Sequence, residues 1–468
     1  MKLVWLRNDL RVLDHPALYN ACNARQGVTA FIVLSVQQWQ QHDDAPIRWA
    51  LWRNHLKTLI PQLKRLNVGF RVLKAPTYED VPDLISRLAA ELKASELHFN
   101  YEYPLNERLR DKRVCQNLES QGVRCIGYHG ELIIPPGQVV TGQGSMFKVF
   151  TPYSRAWRQV YRSQQPEPLG MPRKQQIEIV CEDSLPEDLG WSAVAELERQ
   201  IDPTHWPVGE DSVHQRLTEF VSEKESSYKE QRDFPALDGT SKISPYLAIG
   251  ALSPLQCLQA LTLENLDQDW LSSTWLNEII WREFYRHLIV AWPNMSRLEP
   301  FRPEVEKRIT WRDNPEGFDA WCRGETGYPI VDAAMKQLLH TGWMHNRLRM
   351  VVASFLTKLL GVDWRLGAAF FMRHLIDGDF ASNLGGWQWA SSVGADAAPY
   401  FRIFNPQLQS EKFDPQGTFI ATWLPELSSL PVKQRHLPGA GQSLGRPAPI
   451  IDYKLARKAA LGDYQAQG

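Results

Sequence analysis

Residues 377–406 read DGDFASNLGGWQWASSVGADAAPYFRIFNP. Two carboxylates bracket a glycine, and a lone amide follows at Asn383. Then come Gly385-Gly386, Trp387 and Trp389, a run of small residues, and an aromatic-basic YFR. No amphipathic repeat fits the stretch, so its geometry turns on the two tryptophans. On a strand, residues two apart share a face; on a helix they diverge by about 200° and line different walls. Paired glycines let backbone approach something closely, and small residues leave room for something flat. The stretch reads as the wall of a pocket for a large planar ligand or as a tightly packed core turn.

Its surroundings are helical. From about 212 to 430, segments at 253–263, 275–292, 330–339, 344–360 and 364–375 carry apolar residues at 3.6-type spacing, broken by Pro and Gly. Pro431 interrupts this pattern, and the Gly/Pro-rich run 438–449 reads as a loose end. Far upstream the pattern changes. KLVWLR, TAFIVL, GFRVLK, ELHFN and RCIGYH read as buried strands, alternating with helices at 50–66 and 81–92, the first of which Pro61 should kink. Such alternation implies a parallel, doubly wound, Rossmann-like sheet with its ligand site at the carboxyl ends of the strands. Residues 131–160 are loop-rich and then helical, and 163–207 form a Gln-, Pro- and Glu-rich connector. The fold class is therefore α/β plus all-α: an α/β domain at 1–130, a connector at 131–211 and a helical domain at 212–468.

Composition narrows the function. The chain of 468 residues is 43% hydrophobic and 22% charged, with net charge −1, so a polyanion must be met by a local basic patch. Its 6 cysteines include no CxxC, which fits a reducing compartment better than a disulfide framework or a zinc site. The opening MKLVWLRNDLRV is too charged for a signal peptide, and no apolar run approaches the ~18 residues of a membrane span. A cytoplasmic protein without a membrane partner is expected. There is no GxxxxGK[ST] and no HExxH, and GAGQSLG at 439–445 has the wrong spacing for a dinucleotide fingerprint. His340, His345 and His374 lack a metal-ligand pattern, so no metal is expected. The 18 tryptophans equal the phenylalanines in number, and indoles are costly core filler because each N–H wants a partner.

Three more stretches stand beside the first. In WLNEIIWREFYRHL (275–288), a helix puts Trp275, Glu278 and Arg282 on one face and Glu278 beside Trp281, a set suited to a nucleobase or to an ordinary ion-paired amphipathic helix. In GWMHNRLRMVVASF (342–355), Trp343, Asn346, Arg347 and Met350 share a face. The surrounding 333–362 holds no acid, while Lys336, Arg347, Arg349 and Lys358 are present. That reads as phosphate contact or as a solvated basic face. In RDFPALDGTSKISPYLAIGALS (232–253), hydroxyls precede a helix, a phosphate cradle or a common cap. Together they describe a helical domain with a basic rim and a pocket for a phosphate-bearing planar ligand.

These blocks, with KLVWLRNDLRVLDHPAL (2–18) and DAAPYFRIFNP (396–406), closely resemble the signatures of the DNA photolyase/cryptochrome family over nearly the whole chain. The likeness is greatest to bacterial class I members of the folate-antenna type, which act on cyclobutane pyrimidine dimers. The resemblance implies an N-terminal antenna domain and a helical domain holding a U-shaped FAD. Tyr228, Thr240, Ser241, Lys242, Ile243 and Ser244 would then hold its pyrophosphate and ribityl. Trp275, Trp343, Arg349, Phe371, Asp377 and Asp379 would line its rings, with Glu278 and Asn346 also in reach. Arg349 and Asp377 would compensate each other's charge. Asn383 would face flavin N5, where an amide cannot supply a proton as an acid could. Trp387, Trp364 and Trp311 would relay electrons from flavin to surface.

For the damaged duplex, the resemblance implies dimer contacts from Glu278, Trp281, Asn346, Met350 and Trp389, and phosphate contacts from Arg232, Arg347 and Arg402. His42, Asn106 and Glu107 match positions that contact 5,10-methenyltetrahydrofolate; a deazaflavin antenna is the lesser alternative, and Arg297 stands where lysine is expected. The implied activity is a light-driven carbon–carbon lyase, working as a monomer on double-stranded DNA. A cryptochrome photoreceptor shares fold and FAD, but Asn383 and the short tail after Pro431 favour repair. A (6-4) photolyase would want a histidine pair where Asn346 and Met350 stand, a single-strand relative Tyr in place of Trp389, and a flavin oxidoreductase a nicotinamide site that is not visible.

Overall fold

All five short apolar runs form strands: β1 Lys2–Trp5, β2 Val28–Leu34, β3 Gly69–Lys74, β4 Glu96–Asn100 and β5 Arg124–Tyr128. They make one parallel sheet in the order β3-β2-β1-β4-β5, with Leu3 between Thr29 and Leu97. The computed structural model describes residues 1–23, 26–179, 183–265 and 269–465; Cys181 lies outside them. The central strands read as continuous apolar runs because helices cover both faces of a parallel sheet. Leu3, Trp5, Phe31, Ile85, Leu97, Phe99, Val114 and Leu118 form the core on one side. The helix read at 50–66 begins earlier, at Pro46–Arg65, and runs on through Pro61. Proline at its start loses nothing, since a first-turn N–H has no helical partner anyway.

By compactness the described chain falls into two units. The first comprises Met1–Glu225, Ser241–Ser296 and Ile376–Gly378, and the second Ser226–Thr240, Arg297–Leu375 and Asp379–Gly468. Besides the sheet, the first unit holds the helices Phe150–Gln164, Glu210–Glu223, Pro254–Glu264 and Thr274–Ala291. Glu210 accepts from the amides of Val12 and Leu13 at 2.9 and 3.1 Å, tying the start of its helix to the N-terminal loop.

The regular elements described in the second unit are helical, including Pro329–Thr341, Asn346–Ser354, Trp364–His374, Phe380–Ala390 and Pro406–Phe413. The stretch quoted first is therefore a helix. Asp379 caps Phe380–Ala390 by accepting from the Ser382 amide at 2.8 Å. Trp387 is buried and Trp389 half-buried, as divergent helical positions require.

Two sequence expectations need correction in this unit. The helix read over 344–360 is Asn346–Ser354, followed by a π turn at Phe355–Leu359. Trp343 precedes the cap residue His345 and is not on that helix with Asn346 and Arg347. The run 438–449 is not loose. The Gly439 amide donates to the Gly327 carbonyl at 2.8 Å, and Ile450 to Thr326 at 3.0 Å. A further helix, Tyr453–Gln465, follows and packs on the π turn. Glycines at positive φ (Gly439, Gly441, Gly445) make the turns that bring this segment back.

Candidate functional site

In the second unit, the Phe380–Ala390 helix presents Asn383 with its orientation set. Its Nδ2 donates to the Ala368 carbonyl at 3.0 Å, so Oδ1 is the acceptor the amide turns the other way. One turn on, Trp387 packs edge-on against Phe371 (centroids 5.0 Å apart) and Trp321 (6.0 Å). Trp321 is wholly buried, lies 6.1 Å from Phe371 nearly parallel to it, and donates its N–H to the Val352 carbonyl at 3.1 Å. Sequence reasoning missed it, because nothing separates it there from the other core tryptophans. Trp364 donates to Glu306 at 2.9 Å; Arg365 lies 4.6 Å over its ring and pairs with the same carboxylate at 2.9 Å. Trp311 is half-buried, and its Nε1 finds no partner among the described residues.

The basic residues of this unit divide. Arg347, in the first turn of its helix, lies 4.4 Å over Phe413 and donates to Asp233 at 2.8 Å. Arg232 lies 5.4 Å over the ring of Tyr228. Arg349 donates to the Met344 carbonyl at 2.8 Å, Asn346 is exposed, and Met350 Sδ is 3.8 Å from Arg347. Arg402 is exposed beside Tyr400 and Phe401. Lys358, read as a phosphate contact, is instead buried. Its ammonium donates to the carbonyls of Arg402 (3.1 Å) and Pro399 (3.4 Å). Burial and the nearby Arg402 bring it down to about 8. Lys358 lies in the π turn, and the run 351–362 around it is buried throughout.

In the first unit, Ser241–Ser244 leads into the short helix Ser244–Ile249, and Lys242 takes the left-handed region at φ 51°. Ser244 Oγ donates to Asp377 at 2.7 Å, so these two assigned residues meet. Thr274–Ala291 is capped by Ser273. It buries Trp275, tilted on Phe220 at 5.1 Å, keeps Glu278 half-buried, and stacks Trp281 on Phe150 at 3.7 Å. Glu283, on the same helix, was missed by sequence reading. It is fully buried and accepts from the Ile133 and Ile134 amides and from Trp157 Nε1. Burial pushes its carboxyl up to about 7 despite these donors.

His42, Asn106 and Glu107 come together beyond the carboxyl ends of β2 and β4. Asn106 Nδ2 and Gln38 Nε2 each stand 3.0 Å from His42 Nε2, making that nitrogen the acceptor and directing Nδ1–H to Glu107 at 3.5 Å. Tyr78 donates to the same carboxylate at 3.2 Å. Burial raises the Glu107 carboxyl, while His42 lowers it. Near the carboxyl ends of β1 and β4, where strand order reverses, the protein pairs its own buried charges. Arg7 grips Asp111 with two bonds (2.9 and 2.8 Å), Arg110 pairs with Glu102 at 2.7 Å, and Asp9 meets His15 at 3.2 Å. Among the described residues no cluster of His, Cys, Asp and Glu could hold a metal, and no helix is long and apolar enough to cross a membrane.

Comparison with known proteins covers the whole chain. A family model described as the FAD binding domain of DNA photolyase matches residues 275–466, and one described as DNA photolyase matches 2–172. The deoxyribodipyrimidine photo-lyase of Vibrio cholerae is 44% identical over 471 residues, covering 99% of each chain. That of Escherichia coli is 44% identical over 473 residues, covering 99% of this chain and 98% of the relative. A solved class III photolyase from Agrobacterium tumefaciens aligns with TM-score 0.85 and 33% identity, over 99% of this chain and 97% of that one. A Synechocystis cryptochrome aligns with TM-score 0.82 and 29% identity, over 98% of both.

Proposed function

The chain belongs to the DNA photolyase family, and from that premise we infer that it is a deoxyribodipyrimidine photo-lyase, splitting cyclobutane pyrimidine dimers in damaged DNA under light with FAD. The observation that carries the reading is the 44% identity to enzymes of that name across 99% of this chain. When bound in its reduced form, FAD supplies under blue light one electron that opens the cyclobutane ring and is then returned.

The protein's own residues bind, orient and insulate. Tyr228, Thr240 and the 241–244 segment hold the phosphates and ribityl; Trp275, Trp343, Arg349, Phe371, Asp377 and Asp379 line the rings. Asn383 fits a flavin held reduced: with Nδ2 committed to Ala368, its free end accepts a hydrogen bond and donates no proton. Glu278, Trp281, Asn346, Met350 and Trp389 receive the dimer. Arg232, Arg347 and Arg402 hold phosphates around a nucleotide pair flipped out of the duplex, at a cost of roughly a few kcal/mol that a poorly stacked lesion lowers. Trp387, Trp364 and Trp311 carry electrons toward the surface.

The hydrogen-bonded set His42, Asn106 and Glu107 supports a folate antenna over a deazaflavin. The enzyme acts as a cytoplasmic monomer. Its antenna domain spans 1–130, its connector 131–211 and its catalytic domain 212–468.

One assay tests the reading: purified protein, duplex DNA carrying a thymine dimer, and blue light against darkness. Restored thymines only in the light are expected. Failure with the flavin fully reduced removes the repair function and promotes the signalling role of a cryptochrome, whose fold the chain shares.

A further inference from the structure

Two arginines of the second unit converge on one carboxylate. Arg347 Nη2 donates to Asp233 Oδ1 at 2.8 Å, and Arg232 Nε stands 4.0 Å from the same oxygen. Each guanidinium lies over an aromatic ring, Arg347 over Phe413 at 4.4 Å and Arg232 over Tyr228 at 5.4 Å. Stacking fixes the plane of a guanidinium and leaves its N–H edge to choose a partner. We infer that Asp233 stands in for a DNA phosphate between Arg232 and Arg347 in the free protein, so that binding exchanges this carboxylate for a phosphodiester. The inference rests on the reading above that these two arginines hold phosphates.

Three observations support the exchange. A carboxylate and a phosphodiester offer a guanidinium the same thing, an anionic oxygen acceptor. Residues 333–362 contain no acid, so the counter-charge for Arg347 is brought in from a segment 114 positions away. The pair is half-buried rather than sealed, with 34% of the Asp233 side chain and 17% of Arg347 reaching solvent, so an incoming phosphate can approach it from the Asp233 side. His345, which also faces Asp233, is pushed by burial down to about 4 and brings no competing charge. Asp233 thus acts as a gate: a strand must offer a phosphate good enough to displace it, and weakly engaged DNA is let go.

The experiment measures affinity of the FAD-loaded protein for a short duplex with one thymine dimer and for its undamaged twin, across a salt series. Asp233→Asn, which keeps the shape and removes the charge, is expected to bind both duplexes about fivefold more tightly. Its salt slope should steepen by about one. Single-turnover repair should stay as in wild type, while multiple-turnover repair slows because product leaves more slowly. Asp233→Glu should behave as wild type. Arg347→Ala should bind about tenfold more weakly, with a shallower slope. Weaker or unchanged binding by Asp233→Asn, with Arg347→Ala weakened, overturns the gate and leaves Asp233 a structural support. Unchanged binding by Arg347→Ala instead removes the phosphate reading beneath it. Flavin absorbance and a thermal melt accompany every variant; should Asp233→Asn not fold, Asp233→Ser is judged by the same signs.

Discussion

Trp387 fits against a bare stretch of helix: a Cβ at Gly367 would stand 2.2 Å from its Cη2 and 2.7 Å from Leu356 Cδ2. Neither neighbour is a flexible chain end, so Gly367→Ala should cost about 1–3 kcal/mol in a denaturant melt and turn the indole out of place. Trp364 is held by chemistry rather than by space. Glu306 takes its N–H and also pairs with the guanidinium over its ring. Replacing Trp311 by Phe should slow photoreduction of the oxidised flavoprotein and leave repair by pre-reduced enzyme intact; equal loss of both in transient absorption and repair assays would sink the relay. Glu283 yields a pH signature. Its carboxyl moves up from an ordinary 4.5 to about 7, so the folded form holds a proton that the unfolded chain has released. This group therefore makes stability fall as pH rises from about 4.5 to about 7, by about 3 kcal/mol in all. Comparing unfolding of wild type and Glu283→Gln at both ends of that window isolates it, the gap shifting toward the variant at the higher pH. Neither the Gly367 contact nor the Glu283 proton was legible in sequence, because burial and a partner's identity, not residue type, create them.

At the scale of elements, periodicity located the five strands and most of the long helices to within a few residues, since each hides an apolar face at a fixed repeat. It failed where backbone does something without a repeat. The π turn at Phe355–Leu359 looks like more helix, and only the structure shows Lys358 turned inward beneath the 399–402 carbonyls. The 438–449 run looks loose because Gly and Pro advertise turns and say nothing about what the turns touch. In fact Arg446 reaches Asp332, fully buried, at 2.6 Å, and Glu426 at 2.7 Å; Asp332 also accepts from Thr326 and Gly327 amides. Arg446→Ala would leave that buried carboxylate without its cation and should cost about 3 kcal/mol or more, read as a lowered melting temperature. The two tryptophans of 377–406 had a decidable geometry, and the helix Phe380–Ala390 decides it.

For the molecule as a whole, alternating strands and helices followed by continuous helical spacing were enough to read α/β plus all-α. The family and its FAD were legible only through the family's signature blocks, because residues that meet, such as Ser244 and Asp377, come from segments far apart in sequence. The divide between units is itself discontinuous. The chain enters the second unit at Ser226, returns at Ser241, leaves at Arg297, comes back for Ile376–Gly378 and leaves again. Ser244 and Asp377, which meet at 2.7 Å within the first unit, are 133 residues apart. A ribosome makes the chain in one direction, so the sheet can form early but its unit keeps an unmatched hydroxyl until residue 377 has emerged. A nascent chain stalled before that point would hold a first unit that still lacks its Asp377 acceptor, however well its strands have paired.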